Sequence, residues 1–200
     1  SGLIAGSPAG AVNAPAGYGG SSLQMVNGPG LGGSGCLGQG GKVFLGTTDL
    51  NGVALKDIKH LSYSLLLETQ SFNLARPYIN VFIDLNGDNL WRVADDMILV
   101  YETIYGDNLP GVTANLNEWY ETVASGPLST GDWHAAVRTV GGIGLGSPAA
   151  ISDWNEILAE PYVSLSGTTV GDLKIVNPVG GCNGTTATEG TASGFALVTG

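Results

Sequence analysis

The first charged side chain in this 200-residue chain is Lys42. The 41 residues before it include 14 glycines, set among alanine, serine, proline and a few apolar residues. So little side-chain area cannot offset the entropy of ordering the backbone, so the segment does not fold alone. Disordered tails stay dispersed through charge, and this one has none. A charge-free, glycine-rich segment therefore has to dock, either along its own domain or on a neighbouring subunit. Residues 1–20 read as an extended N-terminal arm, and 21–200 as one domain with a good-sized core. Leu3, Ile4 and Val12 are the arm's sizeable apolar side chains. Spaced by glycine and alanine, they suit a flat strand laid into a groove, which makes them the expected subunit-interface residues.

Charge narrows the partners. Seventeen acidic against seven basic residues give a formal charge of −10, and only 12% of the chain is charged. Phosphate backbones need clustered lysine and arginine, so nucleic acid is excluded as a partner. Apolar runs such as Ile98–Val100 are too short to span a membrane. A chain starting at Ser1 fits a processed precursor. Cys36 and Cys182 both sit in glycine-rich turns near opposite ends of the chain. One intrachain disulfide between them would close a loop of about 146 residues, worth up to roughly 5 kcal/mol in the loop-entropy treatment. Two unrelated thiols are the other reading. Few lysines and a candidate disulfide point to an oxidising, extracellular location.

The middle of the chain reads as strands. Period-two or wholly apolar runs occur at His60–Leu67, Tyr78–Asp84, Met97–Tyr101, Tyr120–Val123, Tyr162–Ser166 and Leu173–Val176. Turn residues separate them at spacings suited to an all-β sandwich. One short helix is expected: Ser152 or Asp153 caps it, Glu156 stands three after Asp153, and Pro161 follows the end.

The strongest chemical pattern is Asp84-Leu-Asn86-Gly-Asp88, with Asp95 or Asp96 further on. Counting Asp84 as position 1, oxygen-bearing side chains fall at positions 1, 3, 5 and 12. Alternate residues of a tight loop point inward and a distal carboxylate closes the shell, which is calcium-loop spacing. Gly87 stands at position 4 rather than 6, and the flanks read as strands. The competing reading is a plain hairpin turning at Asn86-Gly87. Nine carboxylates lie from Asp84 to Asp132 with Arg92 as the one basic residue, a repulsion that a cation would relieve.

Trp119 and Trp133 flank polar residues and are the candidates for stacking on a sugar; burial with a bonded indole N–H is the alternative. Asn183-Gly-Thr185 is the single N-glycosylation sequon. Nothing marks an enzyme. There is no G-x-S-x-G, no H-E-x-x-H, and His60 and His134 are the only histidines. Glu118 with Glu121, or Glu102 with Asp107, would be imaginable glycosidase pairs, yet read better as solvated carboxylates. The G-x-G-x-x-G matches at Gly28 and Gly30 arise from glycine abundance, with no helix following to meet a phosphate.

The order Leu61-Ser-Tyr-Ser, then Pro77-Tyr-Ile-Asn-Val-Phe-Ile-Asp-Leu-Asn-Gly-Asp88, then Leu99-Val-Tyr-Glu102, resembles secreted microbial jelly-roll domains, lectin-like or carbohydrate-binding-module-like. Trp119, Trp133 and the terminal Ser193–Val198 fit the same pattern. The resemblance implies a jelly-roll β-sandwich of two antiparallel sheets over residues 21–200, an extracellular site, and calcium at Asp84, Asn86 and Asp88. Two functions are then expected to compete. One is a non-enzymatic subunit of an extracellular filament or surface assembly, polymerising with copies of itself by strand addition of the arm. The other is a calcium-dependent carbohydrate-binding module whose partner is a polysaccharide.

Overall fold

The computed structural model describes residues 2–5, 21–24, 43–66, 77–91, 96–102, 119–125, 133–137, 153–162, 166–178 and 193–199. They form the strands β1 (Gly2–Ala5), β2 (Ser21–Gln24), β3 (Val43–Thr47), β4 (Ser62–Leu66), β5 (Tyr78–Asp84), β6 (Met97–Glu102), β7 (Trp119–Val123), β8 (Trp133–Val137), β9 (Lys174–Ile175) and β10 (Phe195–Thr199). The helix α1 (Trp154–Ala159) joins them, with 3-10 turns at Leu55–Asp57 and Val170–Asp172.

The centre is the β5–β6 pair, antiparallel from Tyr78 opposite Glu102 to Ile83 opposite Met97. Both strands are apolar almost residue by residue, because both faces of the sheet are covered here: Ile79 to Asp84 and Met97 to Tyr101 are all buried. Six strands make this sheet, in the order β3-β10-β5-β6-β8, with β9 also pairing to β5. Strands β10 and β9 share one side of β5 end to end: β10 covers Tyr78 to Val81, and β9 covers Ile83 and Asp84. Phe82 bridges the junction, taking its N–H to Gly194 O at 2.8 Å and receiving Val176 N–H at 2.9 Å. Gly194 has to be glycine, since a Cβ there would stand 2.7 Å from both Ile175 Cγ2 and Val176 O.

One face carries the larger core. Ile79, Val81 and Ile83 of β5 pack with Met97, Leu99 and Tyr101 of β6, Trp133 of β8, and Trp154 and Ile157 of α1. A single apolar row crosses the whole sheet on this side: Leu45, Leu197, Ile79, Tyr101 and Trp133 are successive cross-strand partners. The antiparallel ladder β4–β7 forms separately, and Leu61, Tyr63 and Ala124 from it and its flanks pack into the same core. The opposite face holds a smaller cluster of Phe82, Trp91, Ile98, Val100 and Val176. There Phe82 meets Trp91 edge-on, with ring centroids 5.0 Å apart.

Helix α1 follows its sequence signature. Asp153 is the cap: it accepts Glu156 N–H at 2.8 Å, while Glu156 returns a carboxylate to Asp153 N–H at 3.1 Å. Trp154 and Ile157, three apart, supply its buried face.

One expectation is revised. Tyr162 lies outside any strand and Ser166 is in a turn. The chain folds back at Gly167 (φ 80°), so that Tyr162 N–H reaches Thr168 O and Val170 N–H reaches Glu160 O, both at 2.8 Å. Strand β1 pairs antiparallel with β2, Gly2 opposite Gln24 and Ala5 opposite Ser21. Backbone donors and acceptors seek partners, and the nearest charge-free strand supplies them.

Candidate functional site

The Asp84–Asp96 connection is built by its own side chains. Asp84 ends β5 at 4% exposure, and its two carboxylate oxygens accept Gly87 N–H at 2.7 Å and Asn89 N–H at 2.8 Å. Asn86 Oδ1 accepts Asp88 N–H at 2.9 Å, and Asp88 Oδ1 accepts Leu90 N–H at 2.8 Å. These are successive turns in which a side-chain oxygen takes an N–H two residues on. Gly87 (φ 78°) and Asn89 (φ 62°) take the two left-handed conformations that the loop requires, and both residue types tolerate them.

The base of the loop is held by a clamp on Leu85. Asp96, 0% exposed, accepts Leu85 N–H at 2.9 Å. Tyr162 Oη donates to Leu85 O at 2.8 Å. Trp91 Nε1 donates to Met97 O at 3.1 Å and pins the far side. Residues 85–90 are therefore an internally braced loop, and the β5–β6 pairing stops at Ile83 opposite Met97, so the turn is not a two-residue hairpin at Asn86-Gly87.

This geometry bears on the proposed ligands. Asp84 and Asp96 are both buried and flank Leu85, whereas Asn86 and Asp88 are exposed. Asp95 lies outside the described residues. Among the described residues, no three of His, Cys, Asp and Glu gather as a metal-holding group. The Asp84, Asp88 and Asp96 carboxylates each accept backbone N–H groups of the loop.

The tryptophans divide. Trp133 is 0% exposed, its Nε1 donates to Ala124 O at 2.6 Å, and its ring lies against Tyr101 and Trp154 at centroid distances of 5.2 and 4.8 Å. It presents no ring face to a sugar; burial with a bonded indole is its role, because it closes the large core beside α1. Trp119 begins β7. Cys36, Cys182, Val12 and Asn183 lie outside the described residues. Leu3 and Ile4 lie in β1, opposite Leu23 and Ser22.

One surface escaped the sequence reading. Among the described residues, strand β3 ends the six-stranded sheet, pairing with β10 on one side. Its residues Val43–Thr47 carry neither charge nor proline. Leu45, the outermost member of the apolar row, is 50% exposed. The weak signal was there: a short β-prone run following the charge-free segment.

Among the described residues, no helix is long and apolar enough to cross a membrane. No protein family, no curated protein and no solved structure matches this chain.

Proposed function

We propose that this chain is a non-enzymatic structural subunit of an extracellular filament or surface assembly, with copies joined by backbone pairing of the N-terminal arm to a neighbouring subunit. The observation that carries the reading is the β1–β2 ladder. It stands as a two-stranded sheet of its own among the described residues, built from chain that contains no charge. An isolated two-stranded ladder is marginal in water and gains stability from a third strand or an apolar surface. Adding it to the edge of another copy supplies both. A head-to-tail contact of this kind propagates into an open polymer unless it closes into a ring. The finer fold belongs to the same reading: a jelly-roll sandwich in which β4 and β7 contribute to the second sheet. The packing of Leu61 and Tyr63 beneath the six-stranded sheet supports it.

The test compares the full chain with a chain lacking residues 1–16, by electron microscopy and sedimentation. Polymers from the full chain and folded monomers from the shortened one are expected. An unchanged oligomeric state with a lowered melting temperature would instead mean that the arm braces its own domain.

A second reading is a calcium-dependent carbohydrate-binding module. It is favoured by two buried carboxylates, Asp84 and Asp96, at the base of the Asp84–Asp88 loop. Calcium bound there would raise the melting temperature, and chelation would reverse the rise. With Trp133 enclosed, polysaccharide contact on this reading falls to other residues.

A further inference from the structure

We propose that β3 is the edge that receives the arm, and that its occupant is β1 of a second copy, whose alternating residues Leu3 and Ile4 place one apolar side chain on the face that carries Leu45. This rests on the assembly reading and adds to it which surfaces meet.

Three observations converge. First, the apolar row Leu45-Leu197-Ile79-Tyr101-Trp133 runs through five strands, from full burial at Trp133 to 50% exposure at Leu45. The core face thus continues to the last strand of the sheet among the described residues, where Leu45 is half exposed. A strand added beyond β3 extends both the ladder and the row.

Second, edge strands that must stay single are blunted by lysine, proline or inward charge. Strand β3, Val-Phe-Leu-Gly-Thr, has none of these. Gly46 also keeps the strand flat against its neighbour, since a Cβ there would collide with the Ser193 hydroxyl.

Third, charge selects the occupant. Two copies at −10 each repel one another across most of their surfaces. Residues 1–41 and 43–47 carry no charge, so a contact between them brings no like charges together. In the single chain β1 is paired with β2 and not with β3, although both belong to the same N-terminal region. The third strand of the ladder and the next strand of the sheet are then supplied together when a second copy docks.

Complementation between full-length variants tests this. Leu45→Lys and Leu45→Glu each spoil the acceptor, with opposite changes of charge; Leu3→Glu with Ile4→Glu spoils the donor. Each variant alone is expected to raise the concentration for half-assembly by roughly ten- to a hundredfold, the affinity carried by one buried leucine. An equimolar mixture of the Leu45→Glu and the Leu3→Glu/Ile4→Glu chains is expected to form one-to-one dimers in sedimentation, because one intact junction remains and the spoiled one, with like charges facing each other, cannot propagate. Leu45 is half exposed, so its variants are expected to keep the far-ultraviolet circular dichroism and melting temperature of the parent. If the parent polymerises and both Leu45 variants polymerise equally well, the acceptor lies elsewhere while the assembly reading stands. A parent that stays monomeric at every concentration removes that reading, and this inference with it. Folded variants that fail to dimerise on mixing overturn the pairing of β1 with β3.

Discussion

Asp96 accepts the backbone N–H of Leu85 at 2.9 Å from a fully buried position, and so fixes where β5 ends and the Asp84 loop begins. A buried peptide N–H without an acceptor costs about 1–3 kcal/mol. Asp96→Ala is expected to lose about that much in urea unfolding. Asp96→Asn keeps an oxygen acceptor and is expected to lose less. Equal losses in the two variants would mean that the carboxylate's negative charge, and not its acceptor oxygen, carries the effect.

The same clamp is completed by Tyr162, whose hydroxyl meets Leu85 O from 77 residues away. Removing that hydroxyl with Tyr162→Phe leaves the ring in place and the carbonyl without its donor. A loss of about 1 kcal/mol is expected. Because Asp96 and Tyr162 hold the two sides of one residue, the double variant is expected to depart from additivity by at least about 0.5 kcal/mol.

How far the sequence reveals this arrangement depends on what each residue needs from a distance. Strands β5 and β6 are legible because two-sided burial makes them apolar at nearly every position. Helix α1 is legible because its capping box is local, from Asp153 to Glu156. Strands β3, β8 and β10 are not, since each takes its identity from partners far along the chain. Phe195, for example, is placed by Thr47 on one side and Val81 on the other. The oxygen spacing from Asp84 to Asp88 was visible and does mark a structured loop. What the oxygens face was not visible, because their partners are backbone amides, which leave no trace in side-chain identity. Trp133 beside Asp132 and His134 looked amphipathic for the same reason: its burial is set by Tyr101 and Trp154.

Trp133 allows a direct check on that last point. Its ring fills the core between β8 and α1 and its indole N–H satisfies Ala124 O. Trp133→Ala is expected to cost about 3–5 kcal/mol in urea unfolding, from lost burial and the cavity left behind. A change below about 1 kcal/mol would show the ring to be at the surface, and would return Trp133 to the sugar-stacking candidates.

Lys56 and Asp172 join the two 3-10 turns on the exposed side of the core, with Lys56 Nζ donating to Asp172 Oδ1 at 2.7 Å. That bond, with further donation from the Thr169 N–H and hydroxyl to Asp172 Oδ2, lowers the aspartate's pKa from 3.8 to about 2. The Lys56 ammonium is correspondingly held above its ordinary range by the Asp172 carboxylate. A carboxylate that is more acidic when folded binds fewer protons than in the unfolded chain. Its stabilisation is therefore complete above the unfolded value, near 4, and is lost as pH falls through about 2. Both partners are partly exposed, so the effect is small and salt weakens it. The difference in unfolding free energy between the parent and Asp172→Asn is expected to be constant above about pH 5 and to shrink steadily towards pH 2. The chain carries seventeen acidic residues, so the difference between the two proteins, and not the parent curve alone, is the quantity to measure. A difference that stays flat down to pH 2 would show that the ion pair and its threonine donors do not form in solution.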